Sequence, residues 1–584
     1  MPEFSKGANR VWFLVLLMLS AHAGLALSSS RMQSLTADEP LHLSRAAGLA
    51  IFHDSSFAVA HPAMINFLDG LPLLTFRDLK LPDRKLIESS RAMDSSDRRN
   101  VLAKILFEKL NPDARTIFER ARLVSLAISL FCGLFVFLWA RKLHGAYAGL
   151  FALFLYSFDP NILASARLVT NDAGAALFIC LALYFLWRLW EKPSAAALAL
   201  AALSLGLAES GKFSAILLYP FYIAVWLAGF WRLAAEKRLR FWSLKPPAFY
   251  LSLWALLIIF LGSLFVIWAG YGFETFRTWN FKPIAASLAN SPLLTSRIKY
   301  RVIELLGAVP LPPRTFYYGL SRTLVLSEQH ENALYFMGRT SEKGWWYYYP
   351  VLFLIKTPLP LLALLAIRAA RRRQIAATGL ISRLVLVLAP VWFLVFFMLL
   401  NRKEIGIRHL LMIYPLIFVL VSGLATDAAL KKRSRQILLA ILFAWFALSS
   451  TLSWPDYLTY FNEAVLGRRF GLKISVVGED WGQGAAALAR AQEKHNWKPL
   501  YYQPYVLIGP DSWGLEYQPL DCEAKKPGYY AIHLTQLKRP VRNPELIKCV
   551  EWLGRYRPSS DVGRTIYVWK MPEATAYPLD APGR

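Results

Sequence analysis

The chain has 584 residues, is 56% hydrophobic and carries a formal net charge of +27. Apolar stretches of membrane-spanning length recur along most of it, with 20 Trp, 26 Tyr and 37 Phe, which excludes a soluble globular protein and forces those stretches into helices. The charge does not point to nucleic acid: the basic residues cluster in short loops between apolar segments, where they face anionic lipid.

The first apolar segment covers residues 11–28 and follows Lys6 and Arg10. Within it, Ala21-His22-Ala23 also reads as a signal-peptidase site, so an anchor and a cleaved leader are both open. Ten further helices are expected at 123–140, 146–158, 173–190, 195–208, 213–231, 249–268, 349–367, 384–400, 407–425 and 437–452. The segments at 146–158 and 195–208 are short, which suggests kinks or burial in protein. With the N-terminus inside, the inner loops are 141–142, 188–192, 232–245, 368–373 and 431–435. All are basic, as the positive-inside rule demands.

Three long regions then face the outer side. Residues 31–122 are polar and rich in Arg, Asp and Ser, with apolar pieces such as 101–110 at helical spacing, and read as helices lying on the bilayer. The second region is 271–346. The third is the tail from 454, which mixes short β-like runs (501–508, 529–534, 565–569) with a helical stretch at 484–495 and suggests a small α/β domain. The division is a transmembrane domain over 1–454 and a tail domain over 455–584. If the tail is outside, Cys522 and Cys549 are free to form a disulfide. Cys132 and Cys180 lie inside apolar helices, and no Cys/His metal spacing occurs.

Asp38-Glu39 follows the first segment and sits at the membrane surface. Polar residues near the outer helix ends form the rest of the candidate set: His42, His61, Arg167, Asn171, Asp172, Lys212, Lys356, Arg402, Lys403, Arg408 and His409. Ionisable groups at membrane depth are costly and point to function. Bland readings stand beside them. Lys356 can snorkel, Arg402 and Lys403 can anchor the interface, and His42 can simply pack beside Asp38. Asp172 can cap the helix starting near Ala173, and Asp38-Glu39 can cap a helix with Pro40 in its first turn. Two acids on separate outer segments, with several cations, suit a reaction in which a carboxylate removes a hydroxyl proton and cations stabilise a departing phosphate.

The ordered motifs resemble membrane glycosyltransferases of the GT-C fold, nearest to bacterial relatives of protein O-mannosyltransferases (family 39) and of lipid A aminoarabinose transferases. Thr36-Ala37-Asp38-Glu39-Pro40-Leu41-His42 is similar to the acidic motif of the first outer loop, and His61-Pro62 to the step after it. Asp159-Pro160-Asn161 with Ala166-Arg167-Leu168-Val169-Thr170-Asn171-Asp172 resembles the second acidic motif, and Gly211-Lys212-Phe213-Ser214 a basic loop. Gly344-Trp345-Trp346, Lys356-Thr357-Pro358, Ile407-Arg408-His409 and Glu479-Asp480-Trp481-Gly482-Gln483 follow in family order.

The resemblance implies an α-helical polytopic membrane enzyme with about eleven spans and a small extracytoplasmic α/β domain. It implies inverting transfer of a sugar from a polyprenyl-phosphate donor to an acceptor hydroxyl, at the outer face of a bacterial inner membrane. Asp38 is then the base, or orients acceptor and metal, with Asp172 as the second acid. Arg167, Lys212 and Arg408, with Lys356, face the carrier phosphate; Glu39 joins the catalytic loop and His61 supports it. Metal use varies across the family, so a divalent ion at Asp38 and Asp172 is allowed and not required. The partners implied are the lipid-linked donor, membrane lipid and an acceptor that the sequence does not name. The reading from another class is a non-catalytic scaffold or receptor binding a glycolipid. A transporter calls for inverted repeats with paired broken helices, and none is convincing here.

Overall fold

The computed structural model describes residues 2–572 except 94, 237–243, 246–247, 276, 290–293, 328–333, 372, 374, 376–377, 427–431, 466–467, 507, 509 and 540–542. Parts of the basic loops 232–245, 368–373 and 431–435 therefore lie outside the described residues. Among the described residues, eight helices are long and apolar enough to cross a membrane: Asn9–Met32, Arg115–His144, Asn171–Glu191, Phe213–Ala235, Leu253–Gly270, Leu380–Leu400, Ile407–Ala425 and Arg433–Ser453. Two bent pairs add at most one span each, and Ala195–Gly211 is a shorter apolar helix beside them. Each of the eleven expected segments is thus helical, and the chain is a multi-pass membrane protein.

Two departures have a local cause. The segment expected at 349–367 is broken by 108° between Tyr348–Lys356 and Leu359–Ala370. Pro358 biases Thr357 out of the helical region and cannot donate a backbone hydrogen bond. Likewise Ala146–Phe158 bends by 64° into Pro160–Ala166. There Asp159 accepts from the backbone N–H groups of Asn161 (2.9 Å) and Ile162 (3.0 Å), and Pro160 takes the first helical turn. The short second helix ends in the turn that carries Arg167 and leads to Asp172. His22 lies within the continuous helix Pro2–Met32, where its ring nitrogens bond Ser157 O and Ser129 Oγ, each at 3.0 Å.

The first outer region forms helices Glu39–Ala50, Ala63–Gly70, Arg84–Ser89 and Ser95–Lys104. They bury Leu43, Ala46, Ala47, Leu106 and Phe118 in one apolar cluster. The second region has a hairpin, β1 (Leu334–Phe336) and β2 (Arg339–Ser341). The tail carries a four-stranded sheet of β3 (Leu500–Tyr502), β4 (Gly528–His533), β5 (Ser560–Val562) and β6 (Ile566–Met571) in the order β3-β4-β6-β5. β3 runs parallel to β4; the other two pairings are antiparallel. Helices Ala485–His495 and Pro544–Leu553 complete the α/β tail, and Cys522 and Cys549 are disulfide-bonded with Cα atoms 5.1 Å apart.

The β-like run expected over 501–508 is corrected: the strand stops at Tyr502. Pro504 has no N–H for the ladder. Val506 and Ile508 leave the sheet and pack instead against Leu43, Ala46 and Leu106 of the first outer region. The tail is thereby seated on the loop that carries Asp38. Ala37 N donates to Trp481 O (2.8 Å) and Ser34 N to Gln483 O (3.1 Å). A second joint is made of two glycines. Gly406 (φ +95) faces Gly478 (φ +99), and a Cβ on Gly478 would lie 2.6 Å from the Cα of Gly406. Both the positive φ and the close approach require glycine there.

Candidate active site

Asp38 occupies the N-cap position of helix Glu39–Ala50, but its side chain makes no capping bond. The reach-back is made by its neighbour. Thr36 donates to Glu39 Oε2 from its backbone N (2.8 Å) and from its hydroxyl (3.1 Å), in the manner of a capping box. Arg122 then grips both oxygens of Glu39 at 2.7 Å, and Val169 N adds a bond at 3.2 Å. Glu39 is fully buried and its acceptor capacity is spent. It ties the first loop to the helix of Arg122 and to the turn before Asp172.

The Asp38 carboxylate is left for the active side. Arg408 Nη1 donates to Asp38 Oδ2 at 2.7 Å, and Arg408 Nε lies 3.6 Å from Asp172 Oδ2. Lys212 Nζ donates to Asp172 Oδ1 at 2.8 Å. Asp172 sits in the first turn of Asn171–Glu191, with Thr170 at the N-cap, so it is no cap either. Asn171 fixes the approach of the Lys212 loop by donating to Gly211 O (2.8 Å). Asp38, Asp172, Lys212 and Arg408 thus form one chain of alternating charge drawn from four segments.

Burial alone would raise the Asp38 carboxyl. Arg408, His42 and Lys403 outweigh it and hold the group well below the usual carboxylate range. The Asp38 side chain is still 38% exposed, so it is reachable as an ionised carboxylate. His42 is pushed down to about 4, first by burial and then by Arg45, and is neutral at pH 7. Its Nδ1 pairs with Asn66 Oδ1 (2.9 Å) and its ring stacks on His61 with centroids 4.8 Å apart. His61 therefore supports the loop, and burial with Arg45 beside it keeps that ring neutral too.

The tail motif Glu479-Asp480-Trp481-Gly482-Gln483 supplies a residue to which the sequence assigned no role at the site. The Trp481 ring lies under the Arg408 guanidinium, 4.3 Å from its centroid, while the Trp481 carbonyl holds Ala37. His409 shares a bond with Tyr349 Oη (2.9 Å), and that hydroxyl also donates to Lys403 O (2.7 Å), which fixes the loop before Arg408. A small cavity runs behind the ion chain, lined by Asn161, Ser165, Asp172, Lys356, Arg408 and Tyr457.

Two expected phosphate cations stand elsewhere. Lys356 touches the cavity wall, but its ammonium donates to Leu458 O (2.8 Å) and lies 3.4 Å from Glu479, with both side chains almost fully buried. It is a buried tie to the tail, because a lysine deep in protein needs a carboxylate and a carbonyl to stay charged. Arg167 is buried as well, among Arg122, Glu39, Asp456 and Tyr457, and its guanidinium nitrogens have no hydrogen-bond partner among the described residues. It does not join Arg408 and Lys212. Arg402 and Lys403 are at the surface of the 401–406 loop.

The donor set does not fit a resident divalent ion in this arrangement. Asp38 and Asp172 are each neutralised by a cation, and no group of three His, Cys, Asp or Glu side chains among the described residues could hold a metal. A metal centre needs more ligands than this pair supplies.

Residues 116–268 match the family model of dolichyl-phosphate-mannose-protein mannosyltransferase. No curated protein sequence matches the chain. Among solved structures, the chain is similar to ArnT from Cupriavidus metallidurans bound to undecaprenyl phosphate, with 12% identity, a TM-score of 0.46, and coverage of 97% of this chain and 99% of that one. The apo ArnT from the same organism gives 13% identity and a TM-score of 0.45, covering 98% and 100%. The archaeal oligosaccharyltransferase AglB from Archaeoglobus fulgidus, in complex with an inhibitory peptide and a dolichol-phosphate, gives 14% identity and a TM-score of 0.36, covering 90% and 70%. The chain is thus a multi-pass helical membrane protein whose residues 116–268 are similar to the dolichyl-phosphate-mannose-protein mannosyltransferase family.

Proposed function

We propose that the chain transfers a sugar from a polyprenyl-phosphate carrier to an acceptor hydroxyl, with inversion, at the outer face of a bacterial inner membrane. The observation that carries this reading is the meeting of Asp38 and Asp172, from two separate outer segments, on the one guanidinium of Arg408. In the proposed step the acceptor oxygen attacks the sugar's anomeric carbon, and its proton passes to the Asp38 carboxylate. The bond from that carbon to the phosphate oxygen breaks, and the phosphate leaves with the electron pair. Arg408 and Lys212 stabilise the charge that develops there. Asp172 orients both cations.

The same arrangement adjusts the base. Arg408 holds Asp38 ionised while the site is empty, at the expense of basicity. A donor phosphate that draws Arg408 away relieves that depression, so Asp38 becomes a stronger base only when donor is bound. The basic inner loops and the eleven apolar segments expected from the sequence support an outer location for Asp38 and the tail. The experiment is transfer of label from polyprenyl-phosphate sugars to candidate acceptors by the purified full chain. Specific binding of the donor with no transfer to any acceptor would favour the receptor reading.

A further inference from the structure

The tail motif Glu479-Asp480-Trp481-Gly482-Gln483 spends every residue on a contact, and the proposed step uses none of them. Glu479 Oε1 lies 3.4 Å from Lys356 Nζ, and its Oε2 accepts from Ser475 Oγ (3.0 Å). Gln483 closes the turn: its Oε1 accepts from Trp481 N (2.8 Å) and its Nε2 donates to Glu479 O (2.7 Å). Gly482 has φ +90, and a Cβ there would lie 2.4 Å from Val506 Cγ2, so glycine is required. Trp481 O holds Ala37 N of the first outer loop at 2.8 Å. Both backbone groups of Trp481 are therefore tied down before its ring is placed.

Asp480 anchors this turn to the sheet. Its Oδ1 accepts from His533 Nδ1 (2.9 Å), its Oδ2 from Thr535 N (2.9 Å), and its backbone O from Thr535 Oγ1 (2.9 Å). His533 ends β4, and its Nε2 meets the Tyr502 hydroxyl of β3 at 2.7 Å. Asp480 and His533 are fully buried and Tyr502 is 1% exposed. A ring that donates from Nδ1 to Asp480 can accept the Tyr502 proton at Nε2, so the two bonds fix its orientation together. A buried polar chain with every member satisfied is rigid and specifies one arrangement. This one leads from two strands of the tail to the residue next to Trp481.

We infer that Trp481 is a positioning residue for Arg408, held in place by the buried chain Asp480–His533–Tyr502, so that the tail is part of the active site. The Arg408 guanidinium lies 4.3 Å from the Trp481 ring centroid. The ring face attracts the cation through its quadrupole and leaves the N–H groups for Asp38 and Asp172. Two carboxylates alone would let the guanidinium slide between them; the ring adds a third point of contact. The consequence for turnover rests on the glycosyltransferase reading, in which Arg408 adjusts Asp38 and meets the departing phosphate. The placement of Arg408 does not rest on it.

The test is labelling of Arg408 by phenylglyoxal in the purified full chain, read by peptide mass spectrometry, together with the pH profile of sugar transfer. The Arg408 side chain is 13% exposed, and Arg84, at 88%, is the internal reference. Trp481→Leu keeps an apolar side chain and removes the ring, Trp481→Phe keeps a ring, and His533→Phe removes the donor to Asp480. Loss of the ring contact in Trp481→Leu should raise Arg408 labelling about three- to thirty-fold relative to Arg84. His533→Phe should raise it too, and Trp481→Phe should stay close to wild type. The acid limb of kcat/KM should move to higher pH in Trp481→Leu, because Arg408 no longer sits firmly on Asp38, and Trp481→Phe should restore it. If His533→Phe fails to fold, the two Trp481 variants still report. Wild-type labelling of Arg408 in a folded Trp481→Leu protein overturns the assignment, and so does labelling raised equally in Trp481→Phe and Trp481→Leu. Raised labelling in Trp481→Leu, when the wild type transfers no sugar, keeps the placement and removes the enzymatic reading.

Discussion

Arg408 donates to Asp38 at 2.7 Å although 370 residues separate them in the chain. The contact closes the first outer loop onto the penultimate long apolar helix, and Trp481 of the tail lies beneath the guanidinium. A cation this close lowers the carboxyl of Asp38. Arg408→Ala removes it, so the acid limb of the kcat/KM profile should move to higher pH. The displacement should be about one to three pH units, the usual reach of an Arg beside an Asp. Arg408→Lys should shift the limb less but recover only part of the rate, because the planar fork is lost. A profile that keeps the wild-type acid limb in Arg408→Ala would separate Asp38 from the titrating group.

Glu39 is expected to behave as a strut, unlike its neighbour Asp38. Its pair with Arg122 is buried on both sides, and removing one partner leaves a buried charge uncompensated. Such a loss costs about 3–5 kcal/mol. Glu39→Gln should therefore lower the melting temperature and the membrane abundance, whereas Asp38→Asn should leave both near wild type. The check is thermal unfolding of the two variants in the same detergent. Equal stability of Glu39→Gln and wild type would return Glu39 to the list of reacting groups.

Much of the fold was legible because bilayer helices write themselves as apolar runs. The eleven segments, the helices of the first outer region and the mixed tail are all readable in that way. The two breaks were legible only in part, since Pro160 and Pro358 lie within runs that hydropathy alone reads as continuous or short. The site is different, because spacing along a sequence does not say which loops meet. Asp38, Asp172 and Arg408 were named from motif order, and their common guanidinium is a tertiary fact. Lys356 shows the limit in physical terms: a lysine in an apolar helix signals a partner, and the sequence does not say that the partner is Glu479 in the tail. Trp481 is legible only as part of the motif Glu479-Asp480-Trp481-Gly482-Gln483, and nothing in the sequence places its ring under Arg408.

Glu404 gives a pH dependence of stability. It lies in the 401–406 loop, 3% exposed, with Oε1 accepting from Trp345 N and Oε2 without a hydrogen-bond partner among the described residues. Burial pushes its carboxyl up to about 8 from 4.5, and the Trp345 bond offsets only part. The folded protein therefore holds a proton that the unfolded chain releases. Its contribution to stability is full below about 4.5 and is lost as pH rises through about 8. Glu404→Gln keeps the amide oxygen as acceptor and removes the titration. It should raise the melting temperature at pH 9 and change it little at pH 5. A uniform shift at both values would show that Glu404 acts through packing instead.

The central claim is that Asp38 takes the acceptor proton. Asp38→Asn keeps the size of the side chain and removes the charge, and Arg408 retains Asp172 as a counter-ion. The decisive measurement is turnover of labelled polyprenyl-phosphate sugar by purified Asp38→Asn and wild type at equal abundance, with donor binding measured in parallel. Turnover should fall by about 10²–10⁴-fold, the range of a positioned acid-base group, while the donor still binds. Near wild-type turnover in a folded Asp38→Asn protein would contradict the account.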